Sequence, residues 1–157
     1  MAFDQQGRLW IGNDGGGVYV FDGKTWETAQ ESIAERNTTD LRRGINALAV
    51  DHEGQLWAAT GWEGLRRYEG KAWTDYTSQN SSLPFNQIEA LAVDAQGRIW
   101  VGGLYGALAL FNPDGESILY TPLSVQPNSF SMNTLTIDPQ DRIWVGLDKG
   151  LRVFTPP

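Results

Sequence analysis

The sequence predicts an all-β fold made of four copies of one four-stranded unit, and three observations predict it. One stretch is written four times: DQQGRLW from Asp4, DHEGQLW from Asp51, DAQGRIW from Asp94 and DPQDRIW from Asp138. The Asp-to-Trp distance is six residues in every copy, and the Trp residues at 10, 57, 100 and 144 are separated by 47, 43 and 44 positions. Short β-compatible runs joined by Gly-bearing turns flank each copy at near-constant offsets. A fixed period of this length marks a stacked-repeat architecture, because one small sheet buries too little by itself.

The elements follow in order. Each repeat opens on an apolar run, seen whole in 45–50, 88–93 and 132–137 but cut to residues 1–3 in the first copy. A turn follows, opened by Asp and closed by Gly7, Gly54, Gly97 or Asp141. Asp caps the backbone two residues on, and Gly supplies positive φ; Asp141 stands in because Asp tolerates the left-handed region. A second run carries the Trp, which makes the pair a hairpin. The third run is 18–21, 65–68, 108–111 or 151–154, and a fourth is 24–28, 71–77 and, more weakly, 116–121. The last copy has no fourth run. The blades therefore span about 1–30, 45–77, 88–121 and 132–154 of a single domain, 1–157. Of the linkers, 31–44 is polar and forms a loop or a helical turn. NSSLPFNQ (80–87) is interrupted by Pro84, and 122–131 carries Pro122 and Pro127, so neither holds a central strand.

A propeller and a linear β-solenoid both satisfy this pattern. The first strand favours the propeller: Ala47, Ala49, Ala90, Ala92, Thr134 and Thr136 alternate with Leu48, Val50, Leu91 and Val93. Small side chains suit sheets converging on an axis, while Trp and Phe or Tyr fill the wider gap outside. The four repeat Trp residues are read as core. Four blades can close in one chain at 90° each, or form a half-ring that closes as a homodimer of eight, or belong to a longer propeller. The two truncated terminal blades leave edges and apolar faces that favour self-association.

Composition excludes several classes. The chain is acidic, net −7, with no basic cluster beyond Arg42-Arg43 and Arg66-Arg67, so a nucleic-acid partner is not expected. It has no Cys, hence no disulfide framework or thiol chemistry. No apolar run reaches membrane-spanning length, and no secretory signal is read at Met1. As written, the chain is expected to be cytoplasmic, or periplasmic if it is part of a longer sensor.

The stretches IEALAVDAQGRIWVGG, INALAVDHEGQLWAAT with GWEGLRRYEGKAWTDY, and the linker NSSLPFNQIEAL resemble the two-component-regulator propeller repeat over essentially the whole chain. That resemblance implies a propeller fold of the kind found in periplasmic sensors of hybrid histidine kinases, many of which recognise carbohydrates. The D-x-x-G-x-L-W turns are also similar to those of streptogramin-lyase-type propellers, which implies an enzyme dependent on histidine and a metal. The single histidine, His52, lies in a repeat turn where the other copies place Gln, Ala and Pro.

No other catalytic pattern appears: no HExxH, no G-x-S-x-G, and no EF-hand spacing around Asp14, Asp114 or Asp148. Asp4, Asp51, Asp94 and Asp138 recur with the repeat and are read as turn caps. Asn37 and Asn80 begin glycosylation-type sequons in polar linkers. What the repeat does not explain is Trp62 and Tyr105, each five residues after its Trp, in the loop between strands two and three. Gly15 and Lys149 fill the same column. With Asp14, Glu63 and Asp148 beside them, these aromatics form a candidate ligand rim on the face shared with the blade-to-blade linkers. The expectation is a non-catalytic binding module without cofactors, taking a carbohydrate or a partner protein. The alternatives are a self-assembling half-ring and a lyase-like enzyme.

Overall fold

The computed structural model describes residues 1–29, 44–120 and 132–156. Arg42, Arg43, the Asn37 sequon and the readings of 31–43 and 121–131 lie outside the described residues. The first blade pairs β1 (Ala2–Phe3), β2 (Leu9–Gly12), β3 (Val18–Phe21) and β4 (Trp26–Thr28) in that order, all antiparallel. The second pairs β5 (Ile45–Val50), β6 (Leu56–Thr60), β7 (Leu65–Tyr68) and β8 (Trp73–Tyr76). The third pairs β9 (Ile88–Val93), β10 (Ile99–Gly103), β11 (Leu108–Phe111) and β12 (Ile118–Tyr120). The fourth holds β13 (Met132–Ile137), β14 (Ile143–Leu147) and β15 (Gly150–Phe154). The expected repeat, its truncated first strand and its three-stranded last blade are all present.

Each turn is built by its Asp. The Oδ1 of Asp94 accepts from the backbone N–H of Gln96 (3.0 Å) and Arg98 (2.8 Å), and Gly97 follows at φ +79°. Asp141, at φ 58°, takes the same left-handed corner in the last blade. The Asp does more than cap. Its Oδ2 accepts the indole N–H six residues on, at 2.8 Å from Trp10 to Asp4, 2.7 Å from Trp57 to Asp51, 2.9 Å from Trp100 to Asp94 and 2.8 Å from Trp144 to Asp138. In three blades an Arg also donates to Oδ2 and lies over the indole: Arg8 at 5.4 Å from the ring centroid, Arg98 at 5.7 Å and Arg142 at 5.4 Å. Blade two has Gln55 there, and Arg67 of β7 covers Trp57 instead, 5.6 Å from the ring.

The pleat gives each blade two faces. A forward face carries small residues on the inner strand and Trp on the second. A backward face carries Leu, Ile and Val. Trp10, Val18 and Val20 of blade one thus meet Leu48, Leu56 and Ala58 of blade two. Trp57 and Leu65 meet Leu91, Ile99, Val101 and Phe111, and Trp100 and Leu108 meet Leu135, Ile143 and Val145. Inner strands β5, β9 and β13 touch in sequence, as convergence on an axis requires. The approach is tight: a Cβ on Gly12 would stand 2.3 Å from Ile45, and one on Gly102 would stand 1.9 Å from the Met132 sulfur. Each large apolar side chain buried at a junction contributes about 1.5–3 kcal/mol. Among the described residues, close packing runs between successive blades and not between the first and the fourth.

The linker NSSLPFNQ holds no strand, as Pro84 leads one to expect, and it packs into the fold. Leu83 plugs the core, Asn80 Oδ1 accepts from Thr77 N–H (2.7 Å), and Asn86 Oδ1 accepts from Ser78 N–H (2.7 Å). Among the described residues, no helix is long and apolar enough to cross a membrane.

Three of the turn carboxylates, Asp4, Asp94 and Asp138, are held in their charged form by the fold. Burial by itself would raise the pKa of Asp4, Asp94 and Asp138. The Trp indole, the backbone amides and the Arg side chain together outweigh it and hold all three below 3.8, Asp138 at about 2. A depressed folded pKa means that the unfolded chain takes up protons first as pH falls. Thermal stability is therefore expected to be flat above about pH 5 and to fall steadily from about pH 4 towards pH 2. Melting curves across that range check this, and the decline should become shallower in Asp94→Asn.

Candidate functional site

Two ends of the blades compete for the role of site. At one end lie the Asp turns; at the other lie the loops between second and third strands, together with the blade-to-blade linkers. Hydrogen bonds fix the second grouping. Ile45 N–H donates to Asn13 O (3.0 Å), Gly61 N–H to Gly44 O (3.2 Å) and Gly64 N–H to Asn86 O (2.8 Å). The sequence expectation that these loops and linkers share a face is met.

All six candidate residues stand on that loop face, one group per blade: Asp14, then Trp62 with Glu63, then Tyr105, then Asp148 with Lys149. They follow an arc and do not converge on one pocket. Trp62 is 49% exposed and Tyr105 is 68% exposed. Glu63 is half-buried, its backbone N–H bonded to Thr60 Oγ1 at 2.9 Å, while Asp14, Asp148 and Lys149 are exposed. Tyr105 sits in a short 3-10 turn, residues Leu104–Gly106, at φ 57° and ψ 26°. The left-handed region is costly for a bulky L-residue. A large, exposed aromatic held in a strained corner is an arrangement that packing does not explain.

Three further polar residues belong to this face and were not singled out from the sequence. The inner strands bulge at the same place in blades two, three and four, leaving Asn46, Glu89 and Asn133 outside the regular register. A bulge re-aims the side chain it carries. Asn46 Nδ2 donates to Ile88 O on the next inner strand (2.9 Å), Gln87 Nε2 donates to Glu89 Oε1 (3.2 Å), and Asn133 Nδ2 donates to Asp148 Oδ1 (2.9 Å). The signal was present in INALAV, IEALAV and MNTLTI, where a polar residue interrupts each apolar run at the second position.

A cavity lies elsewhere, away from the loop face. A cleft of about 460 Å³ opens at the Asp-turn end between blades two and three, bordered by Asp51, Gln55, Trp57, Arg67, Asn112 and Asp114. A smaller one of about 170 Å³ occupies the same place between blades one and two, beside Arg8, Trp10 and Tyr68. Clefts thus occupy two successive junctions, the larger beside Gln55 and the smaller beside Arg8. No loop-face candidate lines either. Among the described residues, no cluster of three or more His, Cys, Asp or Glu could hold a metal, and His52 is exposed in its turn.

Residues 82–105 match the model of the two component regulator propeller family. This segment carries that family's repeat. The matched segment is the linker from Ser82 to Gln87, the inner strand with its Glu89 bulge, the Asp94 turn and the Trp100 strand, ending at Tyr105. No curated protein matches the chain. Among solved structures, it is 25% identical, with a TM-score of 0.64, to the extracellular domain described for a hybrid two component system, BT4673, from B. thetaiotaomicron, covering 96% of this chain and 21% of that one. It is also similar to an inactive His-to-Ala variant of virginiamycin B lyase from Staphylococcus aureus, with quinupristin, at 15% identity and TM-score 0.71, covering 99% of this chain and 54% of that one. YCF48 bound to D1 peptide gives 16% identity and TM-score 0.71 over 97% and 48%. The chain thus spans from about a fifth to about half of the length of these structures. These neighbours fix the fold as a β-propeller.

Tyr105 gives this face a measurable signature. Tyr105→Gly should stabilise the chain by about 1 kcal/mol, because glycine occupies the left-handed corner without strain. Urea unfolding checks it; a loss of stability would show that the ring packs for structural reasons.

Proposed function

We propose that this chain is a non-catalytic binding module that takes a polypeptide segment across its loop face. The observation that carries the reading is the presence on one face of two kinds of group that the repeat's core packing does not use: polar side chains re-aimed by bulges, and exposed aromatics on the strand-connecting loops. Asn46 and Asn133 can donate to and accept from a peptide backbone, and Glu89 can accept from it. Trp62 and Tyr105 offer flat, amphipathic contact area at little entropic cost. A neighbour of the same fold is known bound to a peptide. A carbohydrate is the second reading, favoured by the same exposed rings, which would stack on sugar faces.

The lyase reading has less support. The likeness to virginiamycin B lyase is at 15% identity, and the single histidine here lies at the opposite end of the blades from the loop face. Asp14 and Lys149, at the two ends of the arc, are the candidate residues with the weakest tie to the bulged trio.

Selection from a random peptide library, with a glycan array in parallel, tests the proposal. Binders retained by the native chain should lose roughly tenfold or more in affinity to Trp62→Ala/Tyr105→Ala and to Asn46→Ala. They should be indifferent to Asn112→Ala at the turn-end cleft. The reverse pattern would move the site to the cleft, and binders confined to glycans would favour the second reading.

A further inference from the structure

We propose that the cleft between blades two and three is a binding site for a guanidinium group, which takes the place at Asp51 that an arginine of the chain itself takes in the other three turns. The site lies at the Asp-turn end and does not rest on the loop face.

The repeat supplies the template. In blades one, three and four the Oδ2 of the turn Asp accepts two donors. One is the indole N–H; the other is the Nε–H of the Arg four residues on, at 2.7 Å from Arg8, 2.5 Å from Arg98 and 2.6 Å from Arg142. A carboxylate oxygen has lone pairs for both. In blade two the residue four on is Gln55, whose amide donates to Glu53 Oε2 (3.0 Å) and not to Asp51. Asp51 is otherwise bound as its counterparts are. Its Oδ1 accepts from the N–H of Glu53 (3.0 Å) and Gln55 (2.9 Å), and its Oδ2 from the Trp57 indole (2.7 Å). One acceptor position that the other turns fill is therefore open on Oδ2. Arg67 covers the indole but leaves that position alone, since its guanidinium pairs with Glu69 at 2.8 Å.

Space and charge agree with the template. Asp51 and Gln55 both border the cleft of about 460 Å³. Asp51 is 9% exposed, so its charge is largely withdrawn from water and gains from a cationic hydrogen-bond donor. Glu53 and Asp114 border the same cleft. Among the described residues, none of these three carboxylates is in an ion pair, whereas both arginines of the cleft are: Arg67 with Glu69, and Arg98 with Asp94. With His52 neutral, the cleft carries an excess of negative charge. Across the junction it is lined by Ile99 and Phe111, apolar surface suited to the methylene stem of a cationic head. The chain fills the equivalent position three times with arginine. A planar, weakly hydrated fork of N–H donors suits it better than a compact ammonium does.

NMR titration of the intact chain with ethylguanidinium chloride, read at the indole N–H groups, tests this. The Trp57 indole shares Oδ2 with the incoming group, so its resonance should move saturably at roughly millimolar ligand. Trp10, Trp100 and Trp144, whose carboxylates already hold an Arg, should not move. Ethylammonium should bind at least about threefold more weakly, and tetramethylammonium, which has no N–H, should not bind. Gln55→Arg restores the pairing of the other blades; it should keep the circular dichroism spectrum and weaken ethylguanidinium binding by roughly tenfold or more. Trp62→Ala/Tyr105→Ala should bind ethylguanidinium as the native chain does, so failure here and failure of the loop-face reading are told apart. A blocked Gly-Arg-Gly peptide that binds more tightly than ethylguanidinium assigns the group to an arginine of a polypeptide. One that binds more weakly assigns it to a free small molecule, and either supports the site. No saturable shift at Trp57, equal shifts at all four indoles, an equal response to tetramethylammonium, or unchanged binding in Gln55→Arg overturns the inference. Ethylammonium binding as tightly as ethylguanidinium overturns the choice of head group.

Discussion

The structure depends on one carboxylate used twice. In every blade an Asp closes the first hairpin with one oxygen and holds the indole of the second strand with the other. The first task fixes where the chain turns; the second fixes how the largest side chain of the repeat is aimed. An indole N–H taken into a core without a partner would cost about 1–3 kcal/mol, so the Trp could not fill the inter-blade wedge without that oxygen. The constant six-residue interval is the distance over which a turn and half a strand bring Oδ2 beneath Nε1. Period, hairpin and wedge therefore have a single cause.

The fold was legible because this cause repeats. Strand order, the shortened β1, the missing last strand and the left-handed Asp141 all follow from patterns that occur several times in the chain. The indole bond is written in the same pattern, but turn chemistry by itself accounts for Asp and so conceals it. The swap in blade two was not legible from the spacing. Gln55 removes a cation from above Trp57, and Arg67 restores it from a neighbouring strand, a compensation visible only once β6 and β7 are paired.

The candidate face was only half legible. Trp62 and Tyr105 stood out because they break the repeat, but Asn46, Glu89 and Asn133 keep to it and so drew no attention. A polar residue at the second position of an apolar strand reads as a solvent-facing pleat. That it marks a bulge depends on the neighbouring strand's register, which alternation in a single strand does not contain.

The most direct measurement of the Asp–Trp account is hydrogen exchange at the seven indole N–H groups, resolved one by one by NMR. The account requires slow exchange at Trp10, Trp57, Trp100 and Trp144, well separated from Trp26 and Trp62, which are exposed. Trp144, half-buried at the end of the array, should exchange fastest of the four. Exchange at Trp57 or Trp100 as rapid as at Trp62 would contradict the claim that these carboxylates hold the blades together.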